Sequence, residues 1–439
     1  MVIERPRRDT HRRGRQPEPP REATVTVISE LRMRAQPASS ARAGWDASVK
    51  ARLVLTFAAT VLLLICANLA TPLYPLLQER LDLGPFAVTL AFASYVLALM
   101  AGLVLYGHWS DHIGRRAALV LAVLVGVAGV GVFGTASSLG GLILGRILQG
   151  AAVALCTGAS SAALRELLPR NPEWAGRLTL LASSSGVAAG PVLGGLMGVL
   201  PHPTRTPFLL LGAALLVVLI PLWALKARPA LSPAPGHGAV RALRPRRIGP
   251  VADARTQFRR AASIGFLSFA LFGFGLSLAP RYFSDLFGIG SLAGIGVLAA
   301  LTLAASAAAQ LLGRSHRNLL PWALVAMAAG IVLIAISGSV RSLPLLVAAS
   351  LLAGAGQGTA FRTAFNDVAL AVEPARHAQV ISTVYVVTYL GSAVPVLGLG
   401  LAAGVIGLPA AVAWFAAVIA AGCLAVAASV FRDGRRTRG

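Results

Sequence analysis

Twelve stretches of this chain are apolar for 18–26 residues at a time, and together they hold one charged side chain, Arg146. They are Leu53–Leu73, Phe86–Tyr106, Ala117–Ser137, Leu139–Leu164, Leu178–Leu200 and Phe208–Leu225 in the first half of the chain. In the second half they are Ala261–Pro280, Gly288–Leu312, Leu319–Ile336, Leu343–Phe361, Ala378–Leu401 and Leu408–Phe431. A helix needs about 20 apolar residues to cross the ~30 Å hydrocarbon core of a bilayer. A helix also satisfies its own backbone polar groups there, where no water can. The stretches therefore predict an all-α integral membrane protein with 12 transmembrane helices. Composition agrees, since 13% of the residues are charged against about 25% in soluble domains. Cys66, Cys156 and Cys423 all lie inside apolar stretches and read as buried thiols, not as a disulfide framework.

A net charge of +23 on 439 residues would suggest a nucleic-acid partner if the protein were soluble. The positions of the charges point elsewhere. With helices alternating in direction, 34 of the 39 Lys and Arg fall on one side of the bilayer, while Arg80, Arg205, Arg281 and Arg341 fall on the other. The positive-inside rule makes the crowded side cytoplasmic. It predicts a multi-pass protein of the cell (plasma or inner) membrane with both termini in the cytoplasm, partnered by the lipid bilayer and by no nucleic acid. Residues 1–50 read as a disordered, basic cytoplasmic tail without the apolar core of a signal peptide. Residues 51–226 read as one six-helix half, 227–260 as a Pro-, Gly- and Arg-rich cytoplasmic linker, 261–431 as a second half and 432–439 as a cytoplasmic tail. Residues 1–32 have two readings: a basic tail touching anionic lipid, or an over-extended start ahead of a true first residue at Met33. The second is the simpler.

The two halves repeat. Pro72-Leu-Tyr74 at the end of the first span returns as Pro280-Arg-Tyr282 at the end of the seventh, and Gln149-Gly150 in the fourth returns as Gln357-Gly358 in the tenth. Both offsets are 208 residues. Parallel six-helix repeats build transporters whose halves rock around a central site.

Gly107-x-x-x-Asp111-x-x-Gly114-Arg115-Arg116, between the second and third spans, resembles the signature loop of the major facilitator superfamily. Arg146-x-x-Gln149-Gly150 resembles that family's helix-four motif. Gly186-x-x-x-Gly190-Pro191-x-x-Gly194-Gly195 is similar to the helix-five motif of its proton-coupled drug exporters. The resemblance covers roughly residues 50–431 and implies alternating access, a small-molecule substrate and a monomer. It also implies that Asp111 latches the halves on the cytoplasmic side by meeting the start of the eleventh helix. A carboxylate near that N-terminus gains ~0.3–1 kcal/mol from the helix dipole. Gly107 lets the chain turn out of helix two, Gly114 permits a tight approach before helix three, and Arg115 and Arg116 also hold the loop in the cytoplasm. His112 stands where the family usually has arginine, and Arg177 where the longer helix-five motif begins with glycine. The helix-five glycines and Pro191 have a packing reading as well, since small residues let helix backbones close up and proline bends a helix.

An arginine near the centre of a bilayer costs ~2.5–3.5 kcal/mol, so Arg146 is expected to face a cavity or a partner. Asn68 sits at similar depth in the first span and is the expected hydrogen-bond partner. Gln149, Gln310 and Gln357 are further candidates for the cavity or for interhelical glue. Tyr385 and Tyr389, four apart, share one face of the eleventh helix. Asp367 is expected beyond the tenth helix in an ion-pair cluster with Arg362 and Arg376. No Asp or Glu lies deep in any span, which counts against an embedded carboxylate as proton carrier and leaves Asp111, Arg146 or the substrate for coupling to a proton gradient. No phosphate loop, His-Glu-x-x-His, Gly-x-Ser-x-Gly or metal-ligand cluster is present, so neither an enzyme nor a bound metal or cofactor is expected. The expected function is a secondary transporter exporting drug-like or metabolite compounds. A solute uptake permease is the alternative, and a membrane receptor or enzyme the rival from another class.

Overall fold

A computed structural model describes residues 26–31, 44–228, 255–313, 319–372 and 377–436. Among the described residues twelve helices are long and apolar enough to cross a membrane. In order they are α1 (Val49–Asn68), α2 (Pro85–Leu105), α3 (Arg115–Gly134), α4 (Leu139–Leu167), α5 (Pro172–Met197) and α6 (Thr206–Ala224). There follow α7 (Arg255–Ser277), α8 (Leu292–Leu312), α9 (Leu320–Ser339), α10 (Leu343–Ala371), α11 (His377–Ile406) and α12 (Leu408–Arg436). The protein is an all-α, multi-pass membrane protein.

The Pro-x-Tyr repeat marks a break in the backbone in both halves. Pro72 has no N–H to give the carbonyl four residues back, and Pro75 has none either. So α1 ends at Asn68, passes through a 3₁₀ turn at Thr71–Leu73 and resumes as the short helix Tyr74–Leu81. Likewise α7 ends at Ser277 and resumes as Ala279–Phe287 with Pro280 in its first turn. The structure also carries α10 ten residues past Phe361, the expected end. Arg362 and Asp367 therefore stand on the helix itself, which corrects the loop position expected for them. The Arg362 guanidinium donates to the carbonyls of Gln310, at 2.7 Å, and Gly313, closing the last turn of α8, where carbonyls lack helical partners. Arg376 lies outside the described residues.

One segment of the expected disordered tail is ordered. Val27–Leu31 is a helical turn whose Glu30 pairs with Arg116 at 2.7 Å, with side chains only 2% and 6% exposed. A guanidinium buried at the start of α3 needs a counter-charge, and Glu30 supplies it. Glu30 therefore has a structural partner in the first half. The linker residues 229–254 lie outside the described residues, and α7 starts at Arg255, six residues earlier than expected.

Packing follows the repeat. In the first half α1 lies on α5, α3 on α4, α2 on α4 and α3 on α6; in the second α7 lies on α11, α9 on α10, α8 on α10 and α9 on α12. Each pair has its counterpart six helices on. Two glycines let equivalent helices close up: a methyl at Gly150 would lie 2.3 Å from the Tyr95 carbonyl, and one at Gly358 2.3 Å from that of Ser306. The halves meet through α5 on α8 and α2 on α11. Their close approaches cluster near the face opposite the Gly107–Arg116 loop. Arg281 pairs with Glu79 there at 3.0 Å, and the Thr71 hydroxyl donates to the Leu276 carbonyl at 3.3 Å.

Candidate functional site

The embedded arginine sits inside the first half rather than in the space between the halves. Arg146 is 1% exposed, and its guanidinium lies 5.0–5.7 Å from the ring centres of Phe133, Tyr74 and Tyr95. It donates to the Ala67 carbonyl, the Tyr74 hydroxyl and Gln149 Oε1, the last at 3.1 Å. The expected pair with Asn68 is not formed. Asn68 instead donates to the Leu64 carbonyl at 2.8 Å in its own helix. The physical reason is the break after α1. It leaves the Ala67 carbonyl without a helical donor, and a planar guanidinium reaches that carbonyl and Tyr74, beyond the break, together. Gln149 is likewise interior, 2% exposed and packed against Gly129 of α3. Arg146 and Gln149 thus tie α4 to the broken end of α1, both shut off from solvent.

The second half holds a matching buried network without the charge. Gln357 is fully buried and accepts from the Ser306 hydroxyl, which itself accepts from Gln310 at 3.0 Å. Position 354, the repeat equivalent of Arg146, is Gly354. Tyr385 and Tyr389 differ from the glutamines. Tyr385 is 36% exposed and Tyr389 half-buried, on the helix that packs against α2 of the other half. Three phenylalanines that sequence reasoning passed over, Phe269, Phe361 and Phe365, join them. Their spacing looks like that of any apolar span, and only the tertiary fold gathers them.

In the loop, Gly114 adopts φ +92°, a conformation that favours glycine. Gly107 presents its carbonyl to Gly158 of α4, where a methyl would lie 2.4 Å away. Asp111 pairs with Arg115 at 2.7 Å, and Arg115 pairs with Glu166 at the end of α4 at 2.9 Å. This cluster joins elements of one half. The first side chains of α11, which the latch would engage, lie outside the described residues. His112 stands edge-on to His108 at 5.9 Å. Arg52, Arg115, Arg116 and Arg228 line a recess beside the loop. We expect Asp111→Asn to cut turnover in reconstituted protein. Its stability should change by less than about 1 kcal/mol, as for a partly exposed pair. Flux and thermal unfolding of the same preparation check both, and unchanged turnover would reduce Asp111 to a topological residue.

The α5 glycines divide between two neighbours. Methyls on Gly186, Gly190 and Gly194 would strike Leu64, Asn68 and the Leu69 carbonyl of the α1 segment at 2.7, 2.6 and 2.1 Å. One on Gly195 would lie 2.4 Å from the Leu292 carbonyl of α8, and Gly296 of α8 fits as closely against the Pro191 carbonyl. The motif therefore serves packing within the first half and the contact between halves.

The family model of the Major Facilitator Superfamily matches residues 56–396. The chain is 33% identical to the class E tetracycline resistance protein of Escherichia coli over 29% of this chain and 31% of that protein. It is 27% identical to a chloramphenicol resistance protein of Pseudomonas aeruginosa over 36% of this chain and 38% of that one. The matched stretches thus span about a third of the length of these relatives. In fold, the chain resembles a bacterial homologue of the human lysosomal transporter Spinster, solved inward-facing and unoccupied, with a TM-score of 0.69 at 15% identity over 89% of this chain and 97% of that one.

Proposed function

The chain belongs to the Major Facilitator Superfamily and is a transporter, not an enzyme; on that premise we propose that it exports drug-like or metabolite compounds from the cytoplasm by alternating access. The observation that carries the proposal is the symmetric pairing of the halves. The two largest contacts across the interface, α2 with α11 and α8 with α5, are related by the repeat, so closing one face and opening the other needs only rocking about these contacts. Assigning the arginine-rich face to the cytoplasm by the positive-inside rule makes this conformation closed to the outside, the state in which an exporter loads. The resistance proteins among its relatives support the outward direction. One chain holds both halves and the space between them, so a monomer suffices. For coupling to a proton gradient the reading leaves Asp111, Arg146 or the substrate, since no Asp or Glu lies deep in a span.

Flux into everted vesicles across a compound panel, with and without a pH gradient, tests direction and coupling together. Export predicts accumulation inside such vesicles. Net loss from preloaded everted vesicles would establish uptake instead. Single-cysteine labelling checks the orientation, with Lys226→Cys reacting only from the cytoplasm and Asp82→Cys only from outside.

A further inference from the structure

Five aromatic rings close a circuit in the second half. Phe361 and Phe365 of α10 lie 4.2 Å apart, Phe365 is 5.0 Å from Tyr385 of α11, and Tyr385 is 6.2 Å from Tyr389, nearly parallel at 28°. Tyr389 meets Phe269 of α7 edge-on at 5.3 Å, and Phe269 returns to Phe361 at 5.7 Å. These are ring-to-ring separations of the attractive kind, yet the rings are not a sealed core. Residues that are core in this half, such as Leu324, Met327, Ala360 and Val384, are fully buried, whereas all five rings keep exposed surface. The backbones of α10 and α11 barely meet, so the rings of Phe365 and Tyr385 span an opening between them. Both α7 and α11 touch α2 of the other half, which puts the circuit on the boundary of the space between the halves.

Two further features say what such a wall would take. Neither the Tyr385 nor the Tyr389 hydroxyl has a hydrogen-bond partner among the described residues, and in an apolar setting an unmatched hydroxyl favours a ligand that brings an acceptor. The charge is one-sided too. Arg146 lies behind Tyr95 of α2, the loading face is rich in arginine, and no carboxylate lies deep in any span, Asp367 standing in the last turns of α10. A cation would gain from the ring faces. It would also shed its hydration beside arginines, with no carboxylate among the five ring residues to offset the loss, which is the larger effect.

We propose that this wall binds planar aromatic molecules that carry an oxygen acceptor and no positive charge. The proposal rests on the transport reading for its purpose and names the substrate class for it.

Calorimetric titration of the full chain in lipid nanodiscs, corrected against empty discs, tests it with four probes. These are naphthalene-2-sulfonate, 2-naphthol, N-methylquinolinium and the non-aromatic cyclohexanesulfonate. The first two are expected to bind at least about tenfold more tightly than the cation and the saturated sulfonate. Phe365→Leu and Tyr389→Leu should weaken naphthalene-2-sulfonate by about fivefold to tenfold, and Tyr385→Phe by less, because stacking survives. Equal or tighter binding of N-methylquinolinium would overturn the charge rule in the unmodified protein, whatever the variants do. Leucine variants that unfold at the parental temperature and bind with parental affinity would overturn the wall. Binding as expected without flux would remove export and leave the wall standing. Flux of naphthalene-2-sulfonate indifferent to Phe365→Leu would do the reverse.

Discussion

Arg146→Ala should abolish transport and lower the unfolding temperature at the same time. The side chain fills a pocket between Phe133, Tyr74 and Tyr95, and truncating a large buried group costs about 3–5 kcal/mol through the cavity left behind. It also strands the Tyr74 hydroxyl and the Ala67 carbonyl, which now accept from it. Relief of the guanidinium's desolvation offsets only part of that loss. Arg146→Met separates the two contributions, because it restores most of the volume without the charge. We expect it to regain much of the stability and none of the transport, since nothing would then hold α4 to both sides of the break after α1. Arg146→Lys should rescue poorly, as an ammonium cannot span a carbonyl and a hydroxyl with one rigid fork. Thermal unfolding and reconstituted flux decide the matter. A stable, fully active Arg146→Met protein would make this arginine packing alone.

The second large effect is expected at the contact between α5 and α8. Gly195→Leu and Gly296→Leu each put bulk where even a methyl would lie 2.4 Å from the Leu292 carbonyl or 2.3 Å from the Pro191 carbonyl. Backbone cannot yield there without the helices moving apart, and overpacking of this kind costs about 1–3 kcal/mol for each site. These contacts exist only with this face shut, so the cost falls on one conformation of the cycle. The variants should fold, lose transport and rest with this face open. A cysteine at Thr71, which is 1% exposed, should then react with an impermeant reagent from this side far faster than in the parent. Gly290→Ala serves as control, because nothing lies within 4 Å of its added methyl. Parental labelling together with parental flux in Gly195→Leu would show that the closed contact is not part of the cycle.

Much of the architecture is legible in one dimension because the bilayer makes it so. Hydrocarbon forces each span to be long, apolar and helical, so twelve helices can be counted from residue order alone, and the family's loop, helix-four and helix-five motifs can be read where they stand. The repeat is visible for the same reason, as Pro72 and Pro280 interrupt equivalent helices by the same missing N–H. Span ends are less legible. The last turns of α10 carry Arg362 and Asp367, and charges at a helix end look like loop until a neighbour such as the end of α8 is seen to use them.

Side-chain partners were decided by tertiary structure. Depth along a helix suggested Asn68 for Arg146, but depth says nothing about azimuth, and the break after α1 offered a carbonyl and a phenol in a better direction. The Glu30–Arg116 pair joins residues 86 apart in the chain, and no local pattern marks it. The aromatic circuit draws on three helices, and the phenylalanines that two of them, α7 and α10, contribute are indistinguishable, in sequence, from ordinary membrane-facing residues. Hydrophobicity and backbone hydrogen bonding act along the chain and are written in it. Which faces meet depends on the packing of helices distant in sequence, and that is settled only when all twelve are assembled.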